Sequence, residues 1–193
     1  HSYAPSLILR LLARTEEEST QMIPQGLSKF STAGFIFLST CIRTVPDNDP
    51  NFLPDGGLLI FILPVWLLQC LQYFMTTEFV RMGVHPQHGW LKKQLLGESS
   101  SNSCFMIRAF YRQTIWANMN ELTKVVTPAT PLLVMHGVDD GIIDVKYGQT
   151  IANTVPHAIF RPIDVAKHII MMEQADRVAT SILDFLVEHF LEC

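Results

Sequence analysis

The stretch Pro131 to Gly141, PLLVMHGVDDG, constrains the fold more than any other part of the chain. An apolar run of strand length stops abruptly in a turn with glycine at both ends and two aspartates inside, so it reads as a buried strand that ends at a sharp corner. Two other segments have the same character. Gly34 to Thr40 (GFIFLST) is short, apolar and compatible with a strand, and Ala158 to Ile163 is a third strand candidate, weakened by Pro162. Helical patterns lie between and after them. Asp144 can cap a helix running to about Val155, and Val178, Ile182, Leu183, Leu186 and Phe190 recur at helical spacing near the C-terminus. Strands alternating with helices point to an α/β protein built on a parallel sheet.

The 193 residues suit one domain with a sizeable core, and 48% of them are hydrophobic, which excludes a disordered chain. A net charge of −4, with no basic stripe, argues against a nucleic-acid partner. Cys41, Cys70, Cys104 and Cys193 are widely and irregularly spaced, with no C-x-x-C pair. A disulfide framework or zinc site is therefore not expected, and a reducing, intracellular setting is. His85 and His88 sit three apart around Pro86 without an evident third ligand, so no metal is expected there either. His136 reads as structural, His157 and His189 as surface residues, and Met171 and Met172 as core packing. The chain opens on His1, without signal- or transit-peptide chemistry, and reads as a piece of a longer protein.

The first and second strand candidates are separated by a long, mostly helical segment. Pro5 to Arg14 precedes the first strand and places Leu7, Ile8, Leu11 and Leu12 on one helical face. After the proline-rich Arg43 to Gly57 loop, Gly56 to Thr77 runs for 22 residues without a charge. Its length permits a membrane span, but Pro64, Gln69 and Gln72 inside it, and Glu78 just after, favour a buried or interfacial helix. Gly89 to Leu96 predicts a short helix stopped by Gly97. Ser103 predicts the cap of another helix through Asn118, with Phe105, Met106, Ala109 and Phe110 on one side.

Chemistry is expected where parallel strands end. Asp139 and Asp140 stand at the end of one strand, and His168, 28 positions beyond Asp140, lies in the loop after the next. Each alone could be a turn residue, a helix cap or polar surface. Together they suggest a carboxylate that holds a histidine in the tautomer a general base needs. The nucleophile candidate is Ser2, between His1 and Ala4 and directly before an apolar helix, as in a G-x-S-x-G elbow.

In the order Ser2, Asp140, His168 the chain resembles the α/β-hydrolase superfamily, of the abhydrolase-domain esterase and lipase type. Pro131 to Asp140 resembles the family's strand and acid turn, and His168 with Met171, Met172 and Glu173 its histidine loop and following helix. The Gly-x-x-Asp spacing from Gly137 favours Asp140 over Asp139 as the acid. The elbow's leading glycine falls before residue 1, its trailing glycine is Ala4 here, and Asp144 replaces a proline common among relatives.

The resemblance implies a partial α/β-hydrolase fold, C-terminal parallel strands with flanking helices, plus a helical lid insertion. Residues 1–42 would hold the elbow, a helix and a strand, 43–124 the apolar lid, and 125–193 the acid and histidine loops. It further implies a serine hydrolase acting on carboxylic esters, lipid-like ones among them, through a Ser-His-Asp acyl-enzyme mechanism without cofactor or metal. The Tyr3 N–H would be one oxyanion donor, and the second would come from an earlier loop. The isolated chain is therefore expected to be weakly active at most, with the complete parent protein the enzyme. Trp66, Phe74, Phe105, Phe110 and Trp116 are candidates for pocket wall or core. The Leu58 to Met75 surface could take up acyl chains or touch a membrane face, or simply pack as lid core, in a protein expected to be cytoplasmic or peripheral on a membrane. The competing reading is a non-catalytic scaffold or membrane-associated binding protein that kept the fold. Dehalogenases and epoxide hydrolases of this superfamily place aspartate at the elbow, where this chain has Ser2.

Overall fold

The structure, a computed structural model, describes residues 33–40, 42, 62–99, 102–113 and 117–191. The Pro5 to Arg14 helix, Ser2, Tyr3, the Arg43 to Gly57 loop, Trp116, Cys41 and Cys193 lie outside the described residues. Three strands form a parallel sheet in the order β1 (Phe35–Leu38), β2 (Leu132–Gly137), β3 (Ala158–Ile163). Phe35 pairs with Leu132 on one side of β2, and Leu132 with Ala158 on the other. All six residues of β2 are buried, because it has a strand on each side and helices over both faces. Pro162 is tolerated in β3, which has a partner on one side only among the described residues.

The two-residue period of the strands divides the core. Phe35, Phe37, Leu132 and Val134 pack on one face with Leu122, Ile151 and Val155, which lie in or beside α4 (Met119–Val125) and α5 (Val145–Thr154). Leu133 and Met135 face the other way, against Ile163, Ala166, Ile170, Val178 and Phe185. The last two belong to α7 (Ala175–Leu186), which follows the single turn α6 (Ile170–Glu173) and continues into a π-helical turn, Val187–Leu191. The inward side of α7 is Val178, Ile182 and Phe185, whereas Leu183, Leu186 and Phe190 are exposed, a correction to the face read from spacing alone.

Between β1 and β2 lie α1 (Val65–Gly83), α2 (Gly89–Ser99), α3 (Cys104–Gln113) and α4. Gly97 does not stop α2, which runs two residues further and leaves open space around Gly97. Ser103 caps α3, its Oγ accepting the Phe105 N–H at 3.3 Å, but α3 does not reach Asn118. Asn118 instead starts α4 through a reciprocal capping box with Glu121. Asp144 caps α5 by accepting the Lys146 N–H at 2.9 Å.

Among the described residues, no helix is long and apolar enough to cross a membrane. Helix α1 begins after Pro64, and its buried residues are few: Leu68, Val80 and Gly83. Trp66, Tyr73 and Phe74 are exposed on it, as are Phe105 and Met106 on α3, so these side chains form neither core nor an enclosed wall. Met172 is likewise exposed and not core.

Candidate active site

β2 ends at Gly137, and the chain turns at once, with the Asp140 N–H donating to the Gly137 carbonyl at 3.2 Å. Only glycine fits at that corner. A Cβ on residue 137 would stand 2.0 Å from the Lys167 carbonyl oxygen and 2.6 Å from that of Ala166, so the loop after β3 lies directly over the turn after β2. The Val138 N–H donates to Ile163 and the Asp139 N–H to Ala166, at 3.0 and 3.1 Å, tying the two loops together.

This contact brings Asp140 and His168 side by side. The side chain of Asp140 is wholly shielded, and the Asp140 residue and His168 are 9% and 6% exposed. One carboxylate oxygen, Oδ1, accepts the backbone N–H groups of Ile142 and Ile143 at 2.8 and 2.9 Å. The other, Oδ2, lies 2.9 Å from His168 Nδ1 and 3.2 Å from His136 Nε2. Burial by itself would push the Asp140 carboxyl up. The hydrogen bonds from His136 and His168, the charge of His168 and the Ile143 N–H outweigh it and hold the carboxyl far below the usual carboxylate range. An ionised carboxylate only accepts, so His168 must carry its proton on Nδ1 and is the donor. Asp139, the alternative acid, has a half-exposed side chain 3.6 Å from His85 Nε2.

The histidine loop is held from the other side by the end of α1. A helix leaves its last carbonyls without intrahelical partners, and here the two site loops supply them. The Arg81 carbonyl accepts Lys167 Nζ at 2.7 Å, Met82 accepts the Gly141 N–H at 3.2 Å, and Gly83 accepts the His168 N–H at 3.0 Å. Glu173 completes the clamp. Though 5% exposed, its carboxylate accepts the Lys167 N–H at 2.8 Å through one oxygen and the His85 N–H at 2.5 Å through the other. It thereby fixes the residue before His168 to the loop after α1.

The structure thus brings Asp140 and His168 together, while Ser2 and Tyr3 lie outside the described residues. Among the described residues, no cluster of three or more His, Cys, Asp or Glu side chains could hold a metal ion. Two site contacts escaped the sequence reading. His136 is not merely a strand-end histidine, since its ring meets the same carboxylate oxygen as His168. Its position four residues before the acid, across a glycine turn, was the available signal. Glu173 had a weaker one, a single acid in the apolar run IIMME. His157 and His189 are half-buried instead of surface residues. His157 Nε2 bonds the Thr130 carbonyl at 2.9 Å, and His189 packs on Phe185 with ring centroids 4.8 Å apart.

Comparison with known proteins agrees with the fold. No family model matches the chain. It is 29% identical over 140 residues to Protein ABHD8 of Homo sapiens and, equally, to Protein ABHD8 of Bos taurus. The match covers 72% of this chain but only 31% of the human relative, so the chain spans about a third of the length of the curated proteins it matches. Among solved structures, the esterase RhEst1 from Rhodococcus sp. ECU1013 superposes with a TM-score of 0.69 at 18% identity, over 97% of this chain and 63% of that one. A thermophilic esterase from Thermogutta terrifontis gives 0.62 at 20% identity over 81% and 57% of the two chains. A bromoperoxidase from Bacillus anthracis gives 0.65 at 12% identity over 96% and 64%. The fold these likenesses define is that of the α/β hydrolases. The chain carries part of that fold.

Proposed function

We propose that the protein carrying this chain is a serine hydrolase of carboxylic esters. The observation that supports this most directly is the buried Asp140–His168 pair, with the acid fixed by backbone N–H groups and the histidine held as an Nδ1–H donor. In this reading His168 Nε2 takes the Ser2 hydroxyl proton as Ser2 Oγ attacks the ester carbonyl, and Asp140 stabilises the resulting imidazolium. The backbone N–H of Tyr3 donates to the oxyanion, joined by a second donor from outside this chain. Collapse expels the alcohol, which takes the proton from His168. Water then repeats the sequence to release the acid and restore Ser2.

The segment 43–124 serves as the cover over the site. The exposed Trp66, Tyr73 and Phe74 of α1, with Phe105 and Met106 of α3, support an apolar, lipid-like substrate and a peripheral membrane contact on that side. Labelling of the full-length protein with a fluorophosphonate probe tests the reading. The wild type labels, Ser2→Ala abolishes labelling, and His168→Ala slows it by about 10²- to 10⁴-fold. A protein that never labels, or labels equally well as Ser2→Ala, is the non-catalytic scaffold instead.

A further inference from the structure

The acid of the site has two histidines on one oxygen, and the mechanism above uses only one of them. His136 is fully buried in β2, on the sheet face that α5 covers. Its Nε2 lies 2.8 Å from the Ile143 carbonyl oxygen and 3.2 Å from Asp140 Oδ2. Both of those atoms are acceptors, so Nε2 must carry the proton and share it between them. Among the described residues, the other ring nitrogen, Nδ1, is buried without a hydrogen-bond partner. It faces Gly148, whose missing Cβ would stand 2.9 Å away, and the Phe160 ring lies beside that glycine. A proton there would be a donor left unsatisfied in an apolar wall, whereas a bare nitrogen costs less. The surroundings therefore place the ring's proton on Nε2.

We propose that His136 is a positioning residue for the hydrolase reaction, a histidine whose Nε2–H pins Asp140 Oδ2 in the place from which it orients His168. The inference rests on the proposed hydrolase function but concerns a residue that the triad does not include. Rotation of the carboxylate about the Cβ–Cγ bond would carry Oδ2 away from His168, and the Ile142 and Ile143 N–H groups resist it only through Oδ1. A donor on Oδ2 from within the sheet restrains that rotation at the oxygen that meets His168. The competing explanation is that His136 only anchors the Ile143 carbonyl, in which case the Asp140–His168 bond is indifferent to it.

The test compares His136→Leu, which fills similar volume without a donor, with His136→Gln, whose amide N–H reaches the Nε2 position. Both are made in the full-length protein. Two readings are taken: the rate of fluorophosphonate labelling and the proton NMR resonance of His168 Nδ1–H, which reports its bond to Asp140 without involving Ser2. His136→Leu is expected to slow labelling about 10- to 100-fold, the effect of losing one charge-assisted hydrogen bond, and to shift or broaden the His168 resonance. His136→Gln restores both, the rate to within about threefold. If Leu does not fold, His136→Asn replaces it, since its shorter amide cannot reach Oδ2. Equal loss in the two variants, or an unmoved His168 resonance in His136→Leu, overturns the proposal. A wild type that does not label overturns the hydrolase reading alone, and the NMR comparison then decides the role of His136.

Discussion

Replacing Asp140 with asparagine exchanges one oxygen for an NH₂ group and changes the volume hardly at all. Its effect can be worked out atom by atom. The carbonyl oxygen of the amide stays on the Ile142 and Ile143 N–H groups, which both point at Oδ1. The NH₂ then occupies the place of Oδ2 and meets two donors, His168 Nδ1 at 2.9 Å and His136 Nε2 at 3.2 Å. His136 keeps the Ile143 carbonyl as its acceptor. His168 has a different escape: it moves its proton to Nε2 and accepts at Nδ1. That tautomer puts a proton on the nitrogen that must take one from Ser2. Labelling is then expected to fall about 10⁴-fold, the size of effect a wrong tautomer produces. Two charge-assisted hydrogen bonds are lost and one neutral bond is regained, so stability falls by about 2–3 kcal/mol, which lowers Tm. Labelling kinetics and thermal melting of the full-length Asp140→Asn protein check both numbers. Labelling within tenfold of wild type would refute the orienting role, and an unchanged Tm would refute the claim that the ionised carboxylate stabilises the fold.

Three further outcomes follow from the same geometry. Because the Asp140 carboxyl is held far below its ordinary value, its contribution to stability is complete above the unfolded value near pH 4 and is lost as pH falls below it. Wild type should therefore lose stability faster between about pH 5 and 2 than Asp140→Asn does, and parallel melting curves would contradict this. Gly137→Ala forces a methyl group into two backbone carbonyls, which cannot yield as a side-chain end would. It is expected to cost more than about 3 kcal/mol by denaturant titration, with labelling lost as well, and a near-neutral effect would mean the loops do not cross as described. Glu173→Gln keeps one acceptor but turns an NH₂ toward either the Lys167 or the His85 N–H. About 1–3 kcal/mol should be lost, with faster amide exchange at one of those two residues, and unchanged exchange at both would dismiss the clamp.

Much of the frame was legible in the residues themselves. PLLVMH, GFIFLST and Ala158 to Ile163 read as strands because apolar runs of that length have few other uses, and Asp144 read as a cap because an aspartate before a helical segment can accept a first-turn N–H, which proves to be that of Lys146. Local signals misled where a later residue competed. Asn118 matches the expectation of a helix residue by position, yet with Glu121 three further on it makes a better start than a continuation. Leu183 and Leu186 fit the helical period of α7 but face outward, because Phe185, between them, takes the place against β2 and β3.

Order along the polypeptide, chemical type and local period determined the strands, the caps and the choice of Asp140 and His168 as a pair worth testing. What the sequence could not disclose is which groups meet across distance. That His136 shares an oxygen with His168, that Glu173 bridges the loop after α1 to the histidine loop, and that the end of α1 gives its carbonyls to both loops depend on how the strands and helices pack. Buried polar groups must find partners wherever packing brings them, and no period or motif records those meetings.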